Sequence, residues 1–333
     1  GLNSYKMLKK TINWGIIGVG NVCERKSAPA YQKTDGFLLK TVMRRDLDKA
    51  RDFALRHGVE NYCDDAEQLI NDPTIQAVYI ATPPDSHLSY ALKVAEAGKI
   101  CCVEKPMAVN YAECRQMLKA FSSKNIPLFI AYYRRSLPRF NQVKKWLEDG
   151  EIGSVRHIQW TLCEPPDPER DLAGNYNWRT DENIATGGYF DDLASHGLDL
   201  FHYLLGEFAS VSGHSANQQK LYTAKDAVAA SWIHKSGVTG TGTWNFGSWQ
   251  KEDTVTVYGE KGTVVFSVFK EGPVQLFNDS GNESLFIEHP ENIQLYHVQN
   301  MKAHLDGTMA HPSTGETALH TAWVMDKILG NIK

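Results

Sequence analysis

The chain has 333 residues with 35 basic and 39 acidic side chains, 42% apolar and 11% aromatic content, and 26 glycines beside 13 prolines. These proportions are ordinary globular usage and exclude disordered and collagen-like classes. A formal charge of −4, with no basic run longer than Lys144-Lys145 or Arg134-Arg135, gives no broad attraction to phosphate backbones or acidic membranes. No nucleic acid and no membrane is therefore expected as a partner. The six cysteines show no C-x-x-C spacing and read as buried thiols of a reducing compartment, which points to a cytoplasmic protein. The polar first ten residues lack the apolar core of a signal peptide, and no uncharged run approaches the ~20 residues of a membrane span. A chain this long exceeds the ~250–300 residues at which single cores stop growing, so two lobes and a cleft are expected.

In chain order, short apolar runs at 13–18, 37–43, 60–62, 77–81, 101–104 and 127–131 alternate with helical patterns at 47–57, 86–97 and 111–124. That alternation predicts a parallel sheet with crossover helices, and Gly58 and Gly98 suit left-handed helix C-caps. Beyond about residue 132 the pattern changes. A helix at 138–148, a strand at 155–163, a Pro-rich loop and a helix at 188–205 precede alternating, turn-punctuated segments over 211–287. Strands without intervening helices favour an antiparallel sheet. Helical patterns at 292–304 and 316–329 end the chain. The expected architecture is α/β followed by α+β. A doubly wound Rossmann domain over 1–131 precedes a domain over 132–333 built on an open, mainly antiparallel sheet, with the helix at about 316–329 able to pack back on the first domain.

The first strand runs into Gly18-Val19-Gly20-Asn21-Val22-Cys23. Gly18 permits a tight turn and Gly20 lets the backbone approach a pyrophosphate. The helix starting at Asn21 and Val22 offers unpaired N–H groups and a positive dipole end. Cys23 stands in the third glycine position and is small enough for close helix–strand packing. At the end of the second strand, where an acid would hold a ribose 2′-hydroxyl, the chain has Arg44-Arg45-Asp46. Two planar guanidiniums suit a 2′-phosphate, favouring NADP over NAD; the alternative is solvated surface arginines with Asp46 as the N-cap of the next helix.

Thr82-Pro83-Pro84-Asp85-Ser86-His87 and Glu104-Lys105-Pro106 follow two strands of the same sheet, at the rim where open α/β folds bind ligands. A lysine there can stabilise developing alkoxide charge. Glu104 could pair with it or contact the nicotinamide ribose. Further on, the run from Gly187 to Asp199 places Asp192, His196 and Asp199 on one helical stripe. A carboxylate one turn from an imidazole orients it and stabilises its protonated form, as a general acid/base requires.

Together the glycine loop, Ala81-Thr82-Pro83-Pro84 with His87, Glu104-Lys105-Pro106, Trp178-Arg179 and the Gly-Gly…Asp192…His196…Asp199 run resemble the Gfo/Idh/MocA oxidoreductases over nearly the whole chain. That family includes glucose–fructose oxidoreductases and inositol dehydrogenases. The resemblance implies Lys105, Asp192 and His196 as the catalytic group, Trp178 and Arg179 near the cofactor, and Tyr133 and Arg134 toward the substrate. It also implies hydride transfer between nicotinamide and a secondary alcohol or carbonyl of a sugar or polyol, in a homodimer or homotetramer. Ala194 and Cys23 depart from the family's usual small residues without removing a reactive group. Two rivals stand beside this reading: a glycosidase that oxidises its substrate transiently with bound NAD, and a nicotinamide-sensing regulator without turnover. His297, His304 and His311 recur every seven residues, but Gly307 and Pro312 interrupt the pattern, and no metal site is expected.

Overall fold

The computed structural model describes residues 10–172 and 176–333. The chain forms two units, one of residues up to Leu137 together with His289–Leu319, the other of Pro138–Glu288 with the residues from His320 onward.

The first unit is a six-stranded sheet, β1 (Ile12–Ile17), β2 (Phe37–Met43), β3 (Asn61–Cys63), β4 (Ala77–Ile80), β5 (Ile100–Val103) and β6 (Leu128–Ile130), in the order β3-β2-β1-β4-β5-β6. Every pairing is parallel. Helices cover both faces, so the central strands β1 and β4 are apolar along almost their whole length and buried. Trp14, Tyr31, Phe37, Phe53 and Phe129 fill much of the core. Strand order reverses between β1 and β4, the switch point at whose carboxyl edge such sheets bind ligands.

Local chemistry sets the helix ends. In α2 (Leu47–His57), which follows the short α1 (Ala28–Gln32), the Asp46 carboxylate accepts from Lys49 N at 3.2 Å. Gly58 ends it with φ of 67°, and Gly98, after α4 (His87–Glu96), has φ of 72°; between these lies the short α3 (Ala66–Ile70). In α5 (Tyr111–Ser122) the Asn110 side chain accepts from Glu113 N at 2.9 Å.

Beside the division expected at 131/132, the first unit runs on to Leu137 and takes in the segment His289–Leu319, while most of the last helix, from His320 onward, goes with the second unit. Within the segment His289–Leu319, α9 (Leu295–Leu305) inserts Val298 and Met301 into the Rossmann core. Ser313 Oγ donates to Ile130 O at 2.6 Å, and Thr314 pairs antiparallel with Phe129 along the outer edge of β6. The three histidines work inside this segment. His311 Nε2 donates to His297 O at 3.0 Å, while His311 N donates to His304 Nδ1 at 2.9 Å.

The second unit contains α6 (Pro138–Glu148), α7 (Pro168–Leu172), α8 (Tyr189–Leu205) and an eight-stranded sheet. Its strands are β7 (Val155–Cys163), β8 (Phe208–Ala216), β9 (Ala227–His234), β10 (Thr239–Asn245), β11 (Glu252–Gly259), β12 (Gly262–Phe266), β13 (Val274–Asn278) and β14 (Gly281–Leu285), in the order β14-β13-β12-β11-β7-β10-β9-β8. All pairings are antiparallel except β7 with β10. Topology requires the exception. Consecutive strands β10 and β11 run in opposite directions on either side of β7, so one of them must lie parallel to it. Trp160, Trp244, Phe190 and Phe201 pack edge to face in the core. Helix α10 (Gly315–Leu329) carries the chain from the first unit into the second. Among the described residues no helix is long and apolar enough to cross a membrane.

Candidate cofactor and catalytic residues

In the first unit the glycine loop is anchored on β2. Gly18 N and Val19 N both donate to Met43 O, at 2.9 and 3.2 Å. Gly18 has φ of 87°, and a Cβ there would lie 2.4 Å from Thr82 Cγ2. Around Gly20, by contrast, a Cβ would meet nothing within 4 Å. The chain then turns into a helix at Asn21 and Val22, continuing through a π-helical turn at Cys23–Ser27. A strand end, an open glycine and a helix N-terminus are what a pyrophosphate needs, so the residues present fit a dinucleotide. Arg44 turns onto this loop, its Nη1 donating to Val19 O at 3.2 Å, while Arg45 is exposed. Asp46 is occupied as an N-cap.

The next two strand ends are tied together by His87. The imidazole is fully buried, with Nε2 2.5 Å from Thr82 O and Nδ1 2.9 Å from Pro106 O and 3.2 Å from Met107 O. Burial pushes this imidazole below its usual range against the pull of the three carbonyls. Both nitrogens thus face backbone carbonyls, one of them as donor in the neutral ring, and His87 lies between the loops bearing Pro83-Pro84 and Lys105 rather than presenting a group to the cofactor. The Lys105-Pro106 peptide is cis. Glu104 Oε2 accepts from Tyr79 Oη at 2.5 Å and from Gln294 Nε2 at 3.2 Å. Neither partner was among the expected site residues, because no motif marks a tyrosine inside β4 or a glutamine nearly two hundred residues away. Tyr133 and Arg134 sit in the turn after β6, both buried, the guanidinium 5.0 Å above the phenol ring.

In the second unit α8 starts from Gly188, whose φ is 62° and where a Cβ would lie 2.6 Å from Lys225 O. Asp192 and His196 lie one turn apart on α8 and are buried. Arg179 Nε donates to Asp192 Oδ2 at 2.6 Å, and its guanidinium lies 4.5 Å from the Trp178 ring centroid. The Asn177 side chain caps this short turn by accepting from Arg179 N at 3.1 Å and donates to Tyr189 Oη at 2.9 Å. Tyr189 in turn donates to the Asp171 carboxylate, which also pairs with Arg170 at 2.8 Å. The His196 ring meets Phe269 edge-on at 5.5 Å. The third member of the expected stripe serves the core instead, where Asp199 accepts from Thr321 Oγ1 at 2.7 Å. Asp191, beside Asp192, is pushed up to about 7 by burial, with Asp326 and Asp192 adding like charge against the Gly187 N–H. Trp244 and Phe246 belong to the core, whereas Trp249 is 93% exposed.

Among the described residues no group of three histidine, cysteine or acidic side chains could hold a metal ion.

Comparison with known proteins agrees with this geometry. Residues 12–132 match the oxidoreductase family with an NAD-binding Rossmann fold, and residues 140–265 match the GFO/IDH/MocA C-terminal domain. A protein named oxidoreductase P35 from Formosa agariphila is 36% identical over 323 residues, 97% of this chain and all of its own length. The levoglucosan dehydrogenase of Pseudarthrobacter phenanthrenivorans is 33% identical over 211 residues, 61% of this chain and 53% of its own. A solved levoglucosan dehydrogenase in complex with NADH and levoglucosan superposes with a TM-score of 0.85 at 25% identity, covering 96% of each chain. With a Rossmann unit, an open sheet and both family matches in place, the chain belongs to the GFO/IDH/MocA family of oxidoreductases.

Proposed function

We propose that this protein is an NADP(H)-dependent dehydrogenase that moves a hydride between the nicotinamide and a secondary alcohol or carbonyl of a sugar, polyol or related small molecule. The observation that carries the cofactor choice is Arg44, turned onto the glycine loop while the neighbouring acid, Asp46, is spent on capping a helix. A guanidinium there pairs with a 2′-phosphate. Gly18, Gly20, Asn21 and Val22 would hold the pyrophosphate, with Arg45, Thr82, Pro83, Pro84, Trp178 and Arg179 as further cofactor neighbours. When bound, the nicotinamide supplies the hydride acceptor or donor.

The chain's own residues align the reactants and manage the proton. His196 exchanges the substrate hydroxyl proton. Asp192, held in one rotamer by Arg179, orients the hydroxyl and the imidazole. The Lys105 ammonium stabilises the oxygen as it gains alkoxide character, a contribution typically worth ~3 kcal/mol for one preorganised donor. Tyr133 and Arg134 would contact the rest of the substrate. The named activities of levoglucosan and myo-inositol dehydrogenases among the relatives support a sugar or polyol as that substrate. All six cysteines are free thiols, which supports a cytoplasmic setting. The exposed Ile233 and Tyr258 on the second sheet support a homodimer or homotetramer formed through that face.

Titration with NADP(H) and NAD(H), then a screen of sugars and polyols for a change at the nicotinamide absorbance band, tests the reading. Binding of NADP(H) at least tenfold tighter, with net cofactor turnover, is expected. Tighter NAD(H) binding would overturn the cofactor choice. Product release without net cofactor turnover would favour a transiently oxidising glycosidase.

A further inference from the structure

Glu104 follows β5 directly and precedes Lys105. The two donors on its Oε2 differ in origin: Tyr79 is a fully buried residue of β4, and Gln294 is a fully buried residue of the returning segment, just before α9. Gln294 is itself fixed by its backbone, whose N–H donates to Lys26 O at 3.1 Å. Its other amide atom, Oε1, is buried with no hydrogen-bond partner. Other titratable groups that face the carboxyl among the described residues are Lys105, Cys102 of β5, Tyr31 of α1 and Cys23 of the π-helical turn. Burial holds these thiols and phenols neutral, which leaves Lys105 as the one cation in the set.

This arrangement accommodates two states of Glu104. As a carboxylate it receives two donors, the Tyr79 hydroxyl and the Gln294 N–H. As a carboxylic acid it becomes a donor, and a half-turn of the Gln294 amide brings the orphaned Oε1 round to accept its proton. Burial pushes the carboxyl above the usual range, while Tyr79, Gln294 and Lys105 pull it down. A group balanced in this way responds to any charge placed beside it.

Resting on the reading of the chain as a nicotinamide enzyme, we propose that Tyr79, Glu104 and Gln294 form a proton-linked discriminator of the cofactor's redox state. The oxidised nicotinamide carries a positive charge and the reduced ring carries none. The carboxylate therefore favours the oxidised cofactor, whose binding releases the Glu104 proton to solvent, and the carboxylic acid favours the reduced one. By linkage the effect is reciprocal, so pH sets the ratio of the two affinities. Tyr79 and Gln294 are positioning residues here, acting through Glu104.

The test is to measure dissociation constants of NADP+ and NADPH on the full chain from about pH 5.5 to about pH 9, by fluorescence titration without substrate. The 2′-phosphate ionises at about pH 6 in both forms and cancels in their ratio. In the wild type the preference for NADP+ should rise by up to about tenfold per pH unit and then level off. Glu104→Gln, which is neutral at every pH, should give a flat ratio. Tyr79→Phe removes one donor to the carboxylate and should move the rise to higher pH, a shift that remains measurable even if the Glu104 variant does not fold. A flat wild-type ratio, or an undiminished slope in Glu104→Gln, overturns the inference while leaving cofactor binding intact. Failure of both cofactors to bind at any pH overturns it together with the proposed function.

Discussion

Gly197 follows His196 directly, and its missing side chain is what lets α8 lie on the second sheet. A Cβ at this position would lie 2.2 Å from Trp160 Cζ3, 2.5 Å from Cη2 and 2.8 Å from Cε3. Carbon atoms in contact sit about 3.5–4.0 Å apart, so Gly197→Ala requires helix and indole to separate by about 1.5 Å. Two effects oppose each other. Alanine in a helix interior gains about 1 kcal/mol over glycine, whereas overpacking a filled core costs about 1–3 kcal/mol or more. Trp160 has little freedom to yield: it is fully buried, edge-on to Trp244 and Phe201, and its Nε1–H donates to Asp253 at 3.0 Å. An overlap this deep calls for the upper end of that cost, so overpacking should win with a net loss of about 2 kcal/mol and a Tm lowered by about 2–4 °C for each kcal/mol. Thermal and urea unfolding measure this directly. Displacing His196 by on the order of 1 Å should also cost about a hundredfold in turnover. Adding Trp160→Leu opens space, so the double variant should lose less stability than the two single variants summed. A Gly197→Ala protein as stable and as active as the wild type would refute the argument.

Three further outcomes are expected. Arg179→Ala removes a charge-assisted hydrogen bond from Asp192, of a kind worth about 1.5–3 kcal/mol, so kcat at saturating cofactor should fall roughly tenfold to a hundredfold, separately from any weakening of cofactor Kd at this cofactor neighbour; steady-state kinetics beside binding titrations separate the two. Asp191 is raised from 3.8 to about 7 in the folded chain, so folding takes up a proton in that window and stability falls as pH rises through it. Asp191→Asn should therefore gain stability over the wild type as pH rises from about 4 to about 7, with no further gain above, as urea unfolding at several pH values can check. Glu24 is lowered to about 2 by Arg56, which binds it through two nitrogens, with His57 adding to the pull. Its contribution is present above its ordinary value of 4.5 and lost as pH falls through about 2. Arg56→Ala should accordingly be less stable than the wild type near neutrality, and the gap should close on acidification.

What the sequence revealed and what it hid divide along locality. The glycine loop, the Gly58 cap and the Asp192–His196 spacing depend on residues within a turn or two of one another, and each occupies the expected element, while Asp46 takes the N-cap role of the alternative reading. The parallel β7–β10 pair was hidden because pairing partners depend on where strands insert in the sheet, which strand patterns do not encode. The same holds for His289–Leu319, whose helical pattern says nothing about which core it enters. Gln294 and Tyr79 escaped notice for that reason: they matter only through a carboxyl that folding brings to them. His87 and Asp199 show the converse. A histidine after a strand and an acid on a catalytic stripe read as functional, yet folding uses the first to join two loops and the second to receive Thr321. A buried polar group must find a partner, and that need is invisible until the neighbours are known.

Hydride transfer itself is tested most directly by isotope. Myo-inositol and levoglucosan, each deuterated at its oxidisable carbons, would be incubated with the protein and NADP+, and the reduced cofactor analysed by mass spectrometry and by NMR at the nicotinamide C4. Deuterium is expected at C4 from at least one of these or a related polyol. Lys105→Ala and His196→Ala should lose that transfer by orders of magnitude while still binding the cofactor. Reduced cofactor without deuterium, or undiminished transfer in the Lys105 variant, would contradict it.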